Sequence, residues 1–326
     1  MILTVTPNAA VDKTYRVDDF CLDRVHRPVE TRSVAGGKGV NVARVYQTLG
    51  GKAVATGFLG GVNGRFIAQG LAAEAIADAF VRVRGESRLC IAIVDPKHGT
   101  QTEINELGPE IPARIVRTLK QRVTHLLSQQ RFEFVVLSGS LPPGAPPTLY
   151  ADLIEIARRA ETPAVLDASG AALREGLRAK PWMVKPNRFE LESVLGRPIR
   201  STAETLEAAC RLHQEGIAVV AATRGAEGAI LVTESGALQA VPPTIPFASA
   251  VASGDSFVAA FLWAWTQGEK PGDAETALRL ATGAGAANAA VVGAGFMSRD
   301  AIFQLADRVQ SERLQSPVSS PRTPVR

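Results

Sequence analysis

Ala35-Gly36-Gly37-Lys38-Gly39-Val40-Asn41, running on into Val42-Ala43-Arg44-Val45-Tyr46, sets three glycines and a lysine at the mouth of an apolar helical pattern. Glycines let a backbone approach a ligand closely, and the free N–H groups of a helix start attract an anion to which Lys38 adds a full charge. The spacing Gly-x4-Gly-Lys-Ser/Thr of a P-loop is absent here and elsewhere in the chain. Alone, the stretch reads equally well as a glycine turn with a solvated lysine. Its place in the chain is more informative, because it sits between short β-rich apolar runs.

Those runs, Ile2–Thr6, Ala53–Phe58, Phe134–Ser138, Ala164–Asp167, Trp182–Lys185 and Ala218–Thr223, read as strands. Helical patterns alternate with them over Val40–Leu49, Gly64–Glu74, Ala113–Leu127, Thr148–Arg159, Arg188–Leu195 and Ala203–Glu215. The alternation predicts an α/β fold: a doubly wound, mostly parallel sheet flanked by helices. Residues 14–32 and 79–106 break the rhythm with strands in succession, including Ala79–Val83, Leu89–Val94 and Thr100–Ile104, and predict a small β-sheet lid. Ser256–Gln267, Ala274–Asn288 and Ser298–Gln310 read as three consecutive helices. The expected division is thus a core of 1–13, 33–78 and 107–310 carrying the nucleotide site, a lid of 14–32 and 79–106, and a disordered tail, 311–326, containing Pro317, Pro321 and Pro324.

Composition narrows the function. Among 326 residues, 36 Lys+Arg oppose 32 Asp+Glu, a net +4 too dilute for a nucleic-acid face. Apolar stretches such as Val251 to Trp265 fall short of the roughly 20 residues of a membrane span, and the N-terminus lacks the features of a signal peptide. The expectation is a cytoplasmic protein bound to neither nucleic acid nor membrane. Cys21, Cys90 and Cys210 are isolated thiols, with neither disulfide nor zinc spacing.

A second glycine-containing stretch, Val251-Ala252-Ser253-Gly254-Asp255-Ser256, enters the apolar helix Phe257-Val258-Ala259-Ala260-Phe261. Small residues at a helix start expose consecutive N–H groups that can hold a phosphoryl group in transfer, although Asp255 and Ser256 would also suit a simple N-cap. Taken together, the two stretches resemble the paired signatures of the ribokinase-like carbohydrate kinases, in the branch of the phosphofructokinase-B type enzymes. The first is similar to that family's Gly-Gly-x-Gly-x-Asn sugar site, and the second to its Gly-Ala-Gly-Asp anion hole. Further segments agree: Thr6-Pro7-Asn8-Ala9-Ala10-Val11-Asp12, Ser138-Gly139-Ser140-Leu141-Pro142-Pro143-Gly144, Val184-Lys185-Pro186-Asn187-Arg188-Phe189-Glu190 and Thr223-Arg224-Gly225-Ala226-Glu227-Gly228. The resemblance extends over residues 1 to 309.

What it implies is an ATP-dependent, Mg²⁺-assisted phosphotransferase acting on a sugar hydroxyl. Asp255 would be the general base, and Ala252, Ser253 and Gly254 the anion hole. Asp12, Gly37, Lys38, Asn41, Arg88, Cys90, Glu103 and Ser138 would bind the sugar phosphate. Lys185, Asn187, Thr223, Gly225, Gly228 and Gly254 would bind the nucleotide, and Asn187 and Glu190 would order magnesium through water. The stretch Glu86-Ser87-Arg88-Leu89-Cys90-Ile91-Ala92-Ile93 resembles tagatose-6-phosphate kinases, while Pro181-Trp182-Met183-Val184-Lys185-Pro186-Asn187-Arg188 is similar to 1-phosphofructokinases. Fructose 1-phosphate to fructose 1,6-bisphosphate is therefore the first expectation, ahead of tagatose 6-phosphate and fructose 6-phosphate. A homodimer through the lid is a further implication, and a non-catalytic sugar-phosphate sensor is the alternative from another class. The chain departs from the family at Ala9, Arg224 and Ala252. If position 252 needs a positive φ, alanine costs about 1 kcal/mol there.

Overall fold

In the computed structural model the described residues are 1–267 and 272–315. Along strand β9 (Phe134–Ser138), Phe134 and Val136 join one hydrophobic cluster while Val135 and Leu137 join a second. This period-2 division between two apolar layers means that the sheet is covered on both faces, as its continuous apolar strands demand. On one side lie α1 (Lys38–Thr48), α2 (Gly61–Ala73), α8 (Ser253–Gln267), α9 (Ala274–Ala289) and α10 (Arg299–Asp307). On the other lie α3 (Ala113–Gln129), α4 (Leu149–Arg159), α5 (Gly170–Arg178), α6 (Arg188–Leu195) and α7 (Thr202–Gln214).

The parallel part of the sheet runs β12 (Val219–Thr223), β11 (Met183–Val184), β10 (Ala164–Asp167), β9, β1 (Ile2–Thr6), β4 (Ala53–Gly60), with the short β5 (Ala77–Asp78) and β6 (Val81–Val83) both on β4. Beyond β12 the order continues antiparallel through β13 (Ala229–Thr233), β14 (Gly236–Val241) and β15 (Gln310–Leu314). A separate four-stranded sheet has the order β3 (Glu30–Gly36), β2 (Ala10–Arg16), β7 (Arg88–Asp95), β8 (Thr100–Asn105).

The predicted α/β architecture and small second sheet are both present, with three corrections. The small sheet begins at Ala10 and ends its second strand at Gly36, so residues 10–13 and 33–36 leave the expected core. Val81–Val83, placed in the lid from the sequence, instead pairs with β4, where its parallel register extends the large sheet. Residues 311–314, assigned to the tail, form most of β15; Ser311, Glu312 and Arg313 carry no strand signal because the pairing to β14 is made by the backbone, and only Leu314 packs against an apolar layer. The rest of the expected tail, 316–326, lies outside the described residues. No helix among the described residues is long and apolar enough to cross a membrane.

Candidate active site

The parallel strands β1, β9, β10 and β12 all end on one edge of the sheet, and both α1 and α8 begin there. Crevices at the carboxyl ends of such strands are where open α/β sheets bind ligands. Here the crevice is a cavity of about 830 Å³. The small sheet forms one wall by its own register: Asp12 is paired with Cys90, and Cys90 with Asn105, so the three form a row. Arg88 and Glu103, two residues along their strands, therefore share the cavity face with them.

At the start of α1, Gly37 has φ +98°, and a Cβ there would stand 3.0 Å from Thr6 and 3.1 Å from the Ala9 backbone. A Cβ on Gly36 would overlap the Asp12 carboxylate at 2.1 Å. These glycines thus bring the turn against the strand ends and let Asp12 tuck beneath it. Burial pushes the Asp12 carboxyl up to about 6, against the charges of Arg44 and Arg88.

Lys38 and Lys185 share one carboxylate oxygen. Asp167 Oδ1 accepts from Lys38 Nζ at 2.8 Å and lies 3.4 Å from Lys185 Nζ. Burial works against the charge of both partners, yet the pairing wins: Lys38 is held above its ordinary pKa by Asp167, Asp255 and Glu190, and Asp167 below its own by Lys185 and Lys38. The other Asp167 oxygen, fully buried, has no hydrogen-bond partner among the described residues. A Cβ on Gly254 would lie 3.3 Å from Lys185 Nζ, so this ammonium sits directly over the start of α8.

Ala252 adopts φ +65°, the left-handed conformation usually left to glycine. The conditional steric cost noted from the sequence therefore applies, and the turn into Ser253, Gly254 and Asp255 is kept in spite of it. Asp255, 5% exposed, accepts a hydrogen bond from Asn41 Nδ2 at 2.9 Å. Burial raises its carboxyl to about 7; Lys38 opposes the shift and Asp167 adds to it. An acid near neutrality is suited to take a proton in a reaction near pH 7.

Thr223, Gly225 and Gly228 also line the cavity, as do Ile245 and Phe247. Phe247 is 61% exposed, an unusual solvent-facing ring that offers a surface for a planar ligand. Ser249 Oγ donates to Gln101 Oε1 at 3.0 Å, joining this loop to strand β8.

All but two of the residues singled out from the sequence line the cavity. Ser138 is fully buried outside the cavity lining, its Oγ beside Gly39 and without a hydrogen-bond partner among the described residues. Glu190 is engaged in the capping box of α6: Asn187 Oδ1 accepts from its N–H at 2.9 Å and its Oε2 accepts from the Asn187 N–H at 2.8 Å. Asp167, whose position at a strand end could as well have meant a cap, proves to be the anionic centre of the site. Asn105 and Phe247 gave no chemical signal in the sequence.

A doubly wound sheet whose strand ends gather a near-neutral buried acid, two ammonium groups and a glycine-lined helix start defines a phosphotransferase of the carbohydrate kinase class. The pfkB family carbohydrate kinases match residues 5–301, and the chain belongs to that family. It is 41% identical over 281 residues to a 1-phosphofructokinase of Rhodobacter capsulatus, an alignment covering 86% of this chain and 88% of the relative. Among solved structures, a Thermotoga maritima protein described as a possible 1-phosphofructokinase superposes with TM-score 0.87 at 27% identity, over 97% of this chain and 100% of that one. Phosphofructokinase-2 of Escherichia coli in complex with potassium gives TM-score 0.86 at 28% identity, over 94% and 98%. The chain is accordingly an enzyme that transfers a phosphoryl group to a sugar hydroxyl.

Proposed function

We propose that the chain transfers the γ-phosphoryl group of ATP to the free primary hydroxyl of a ketohexose monophosphate, with fructose 1-phosphate as the preferred acceptor and fructose 1,6-bisphosphate as the product. The observation that carries this reading is Asp255, buried between two helix starts and facing Lys38 and Lys185. Arg88 at the other end of the same cavity supports a phosphorylated rather than a free sugar, because a free sugar needs no cation there. The relative's activity on fructose 1-phosphate, implicit in its name, supports the choice of acceptor.

Asp255 takes the hydroxyl proton as the sugar oxygen bonds to the γ-phosphorus and the bond to the β,γ-bridging oxygen breaks, releasing ADP. The N–H groups of Ala252, Ser253 and Gly254 hold the equatorial charge, and Lys185 adds a cation above them. Asp12 and Asn41 orient sugar hydroxyls, and the small sheet, latched to the nucleotide side by Ser249 and Gln101, keeps water from the γ-phosphate. Among the described residues no group of three or more His, Cys, Asp or Glu side chains is placed to hold a metal. Asn187, which lines the cavity, would order the water shell of a magnesium ion carried by the nucleotide, and Glu190 would act on it only by holding Asn187 through the capping box. When bound, that ion neutralises charge on the β- and γ-phosphates.

The test is ADP release with fructose 1-phosphate, tagatose 6-phosphate, fructose 6-phosphate and free fructose. Fructose 1-phosphate should give the highest kcat/KM. Turnover of free fructose alone would refute the phosphate site, and turnover of none would refute the reading.

A further inference from the structure

Arg44 lies on α1 one turn beyond Asn41, is 5% exposed, and does not line the cavity. A buried guanidinium needs partners to be tolerated, and four of the five N–H groups here donate to named acceptors. Its Nε donates to Glu74 at 2.7 Å, one terminal nitrogen to Asn41 Oδ1 and the Ala294 carbonyl, both at 2.8 Å, and the other to the Ala35 carbonyl at 2.5 Å. The Phe296 ring lies 4.5 Å from its guanidinium carbon and, with Arg32 at 4.2 Å, is shared between two guanidinium groups. Arg32 in turn donates to the Val292 carbonyl at 2.8 Å.

The amide of Asn41 is the point of leverage. An Asn side chain has one acceptor and two donors, and either could face Asp255 if the amide turned over. Arg44, a donor that can never accept, fixes Oδ1 toward itself and so commits Nδ2 to Asp255 Oδ2. We infer that Arg44 is the positioning residue of this kinase: through Asn41 it fixes the orientation of the Asp255 carboxylate and its readiness to take a proton, and through Phe296 and Arg32 it joins that setting to strand β3 of the small sheet. The inference rests on Asp255 being the base.

Asp255 is also faced by Lys38 from α1, Asp167 from β10 and Lys185 from the segment after β11, and Arg44 is faced by Glu74, Asp12 and Arg32. Lys38, Lys185 and Asp167 would remain in Arg44 variants, so the change expected at Asp255 is that caused by losing one oriented donor; Arg44→Met also removes a charge that lowers Asp12, which Arg44→Lys keeps and which the titration of Asp255 itself does not read. A lost donor to the carboxylate raises its pKa. Arg44→Met should therefore lower kcat at pH 7 by about 10- to 100-fold, within the range a displaced general base costs, with KM for ATP within about twofold. The acid limb of its kcat/KM profile should move to higher pH by roughly half a unit or more. Arg44→Lys keeps the charge but not the fork, and should lose kcat to within about threefold of the Met variant. Ile67→Val, in the same core, should lower stability without moving the acid limb.

An unmoved acid limb in folded Arg44→Met, or wild-type kcat and limb in Arg44→Lys, would overturn the inference. Should Arg44→Met not fold, Glu74→Ala removes a partner from the guanidinium and should move the limb in the same direction; no movement there counts against it equally. A carbon-13 carboxyl titration of Asp255, assigned by its absence in Asp255→Asn, gives a readout without turnover: the midpoint should rise in Arg44→Met. If the wild type released no ADP with any sugar phosphate, the functional reading would fall, while this titration would still decide the inference.

Discussion

The starts of α1 and α8 face the same cavity but are built by opposite choices. Where φ must be positive, α1 has Gly37 and α8 has Ala252. In its first turn α1 carries the cation Lys38, which the helix dipole disfavours, whereas α8 carries Asp255, which the dipole favours. Yet it is Lys38 that is held firmly charged, by buried Asp167, and Asp255 that is left near neutrality by its own burial. Neighbours and desolvation outweigh the half-charge of a helix end. One start is thus made into a fixed cation and the other into a group that can gain and lose a proton.

That contrast can be broken in order of effect. Asp255→Asn should reduce kcat by about 10³-fold or more, as loss of a general base does, while leaving the far-UV spectrum unchanged; near-normal single-turnover rates would remove the proton-accepting role. Lys38→Met should lower kcat/KM for the sugar phosphate by about 100-fold, since Asp167 is left with Lys185 alone; an equal effect on KM for ATP would mean that the cation does not belong to the sugar side. Gly37→Ala combines a positive φ with a Cβ 3.0 Å from Thr6 and should cost about 2–3 kcal/mol, read from denaturant midpoints.

The pH dependence follows from the raised acid. Below about 7, kcat/KM should fall by about tenfold per pH unit as Asp255 becomes protonated. Stability should move the other way. A carboxyl whose folded pKa lies above its unfolded value binds protons more tightly when folded, so Asp255 and Asp12 add stability as pH falls from about 7 toward 4. Asp255→Asn should flatten part of that slope in thermal melts. The smallest effect is Ala252→Gly, expected to stabilise by about 1 kcal/mol; no gain would mean that alanine is unstrained there.

The sequence carried the large sheet because its central strands are continuous apolar runs separated by amphipathic helices, a pattern set by burial on both faces. It did not carry β13 and β14, whose Ala229–Thr233 run looks like any buried strand and says nothing of direction, nor β15, where four of the five residues Gln310–Leu314 are polar and only Leu314 packs against an apolar layer. The site was legible where glycines and charges stand close together in the chain. It was not legible where partners are remote: Lys38 and Asp167 are 129 residues apart, and Arg44 reaches Ala294 across 250. Nothing local distinguishes a buried arginine with five obligations from one that is merely exposed on a helix.

Were the small sheet to act as a lid that swings away from the loop before α8, the hydrogen bond from Ser249 to Gln101 would set the scale of that motion. A neutral bond of this kind contributes about 1 kcal/mol net, which biases closed over open by only about fivefold. Such a latch is a preference rather than a lock: it breaks thermally, and ligands that touch both the small sheet and the nucleotide side can supply the larger share of closure themselves. Their own binding energy then decides how long the mouth stays shut.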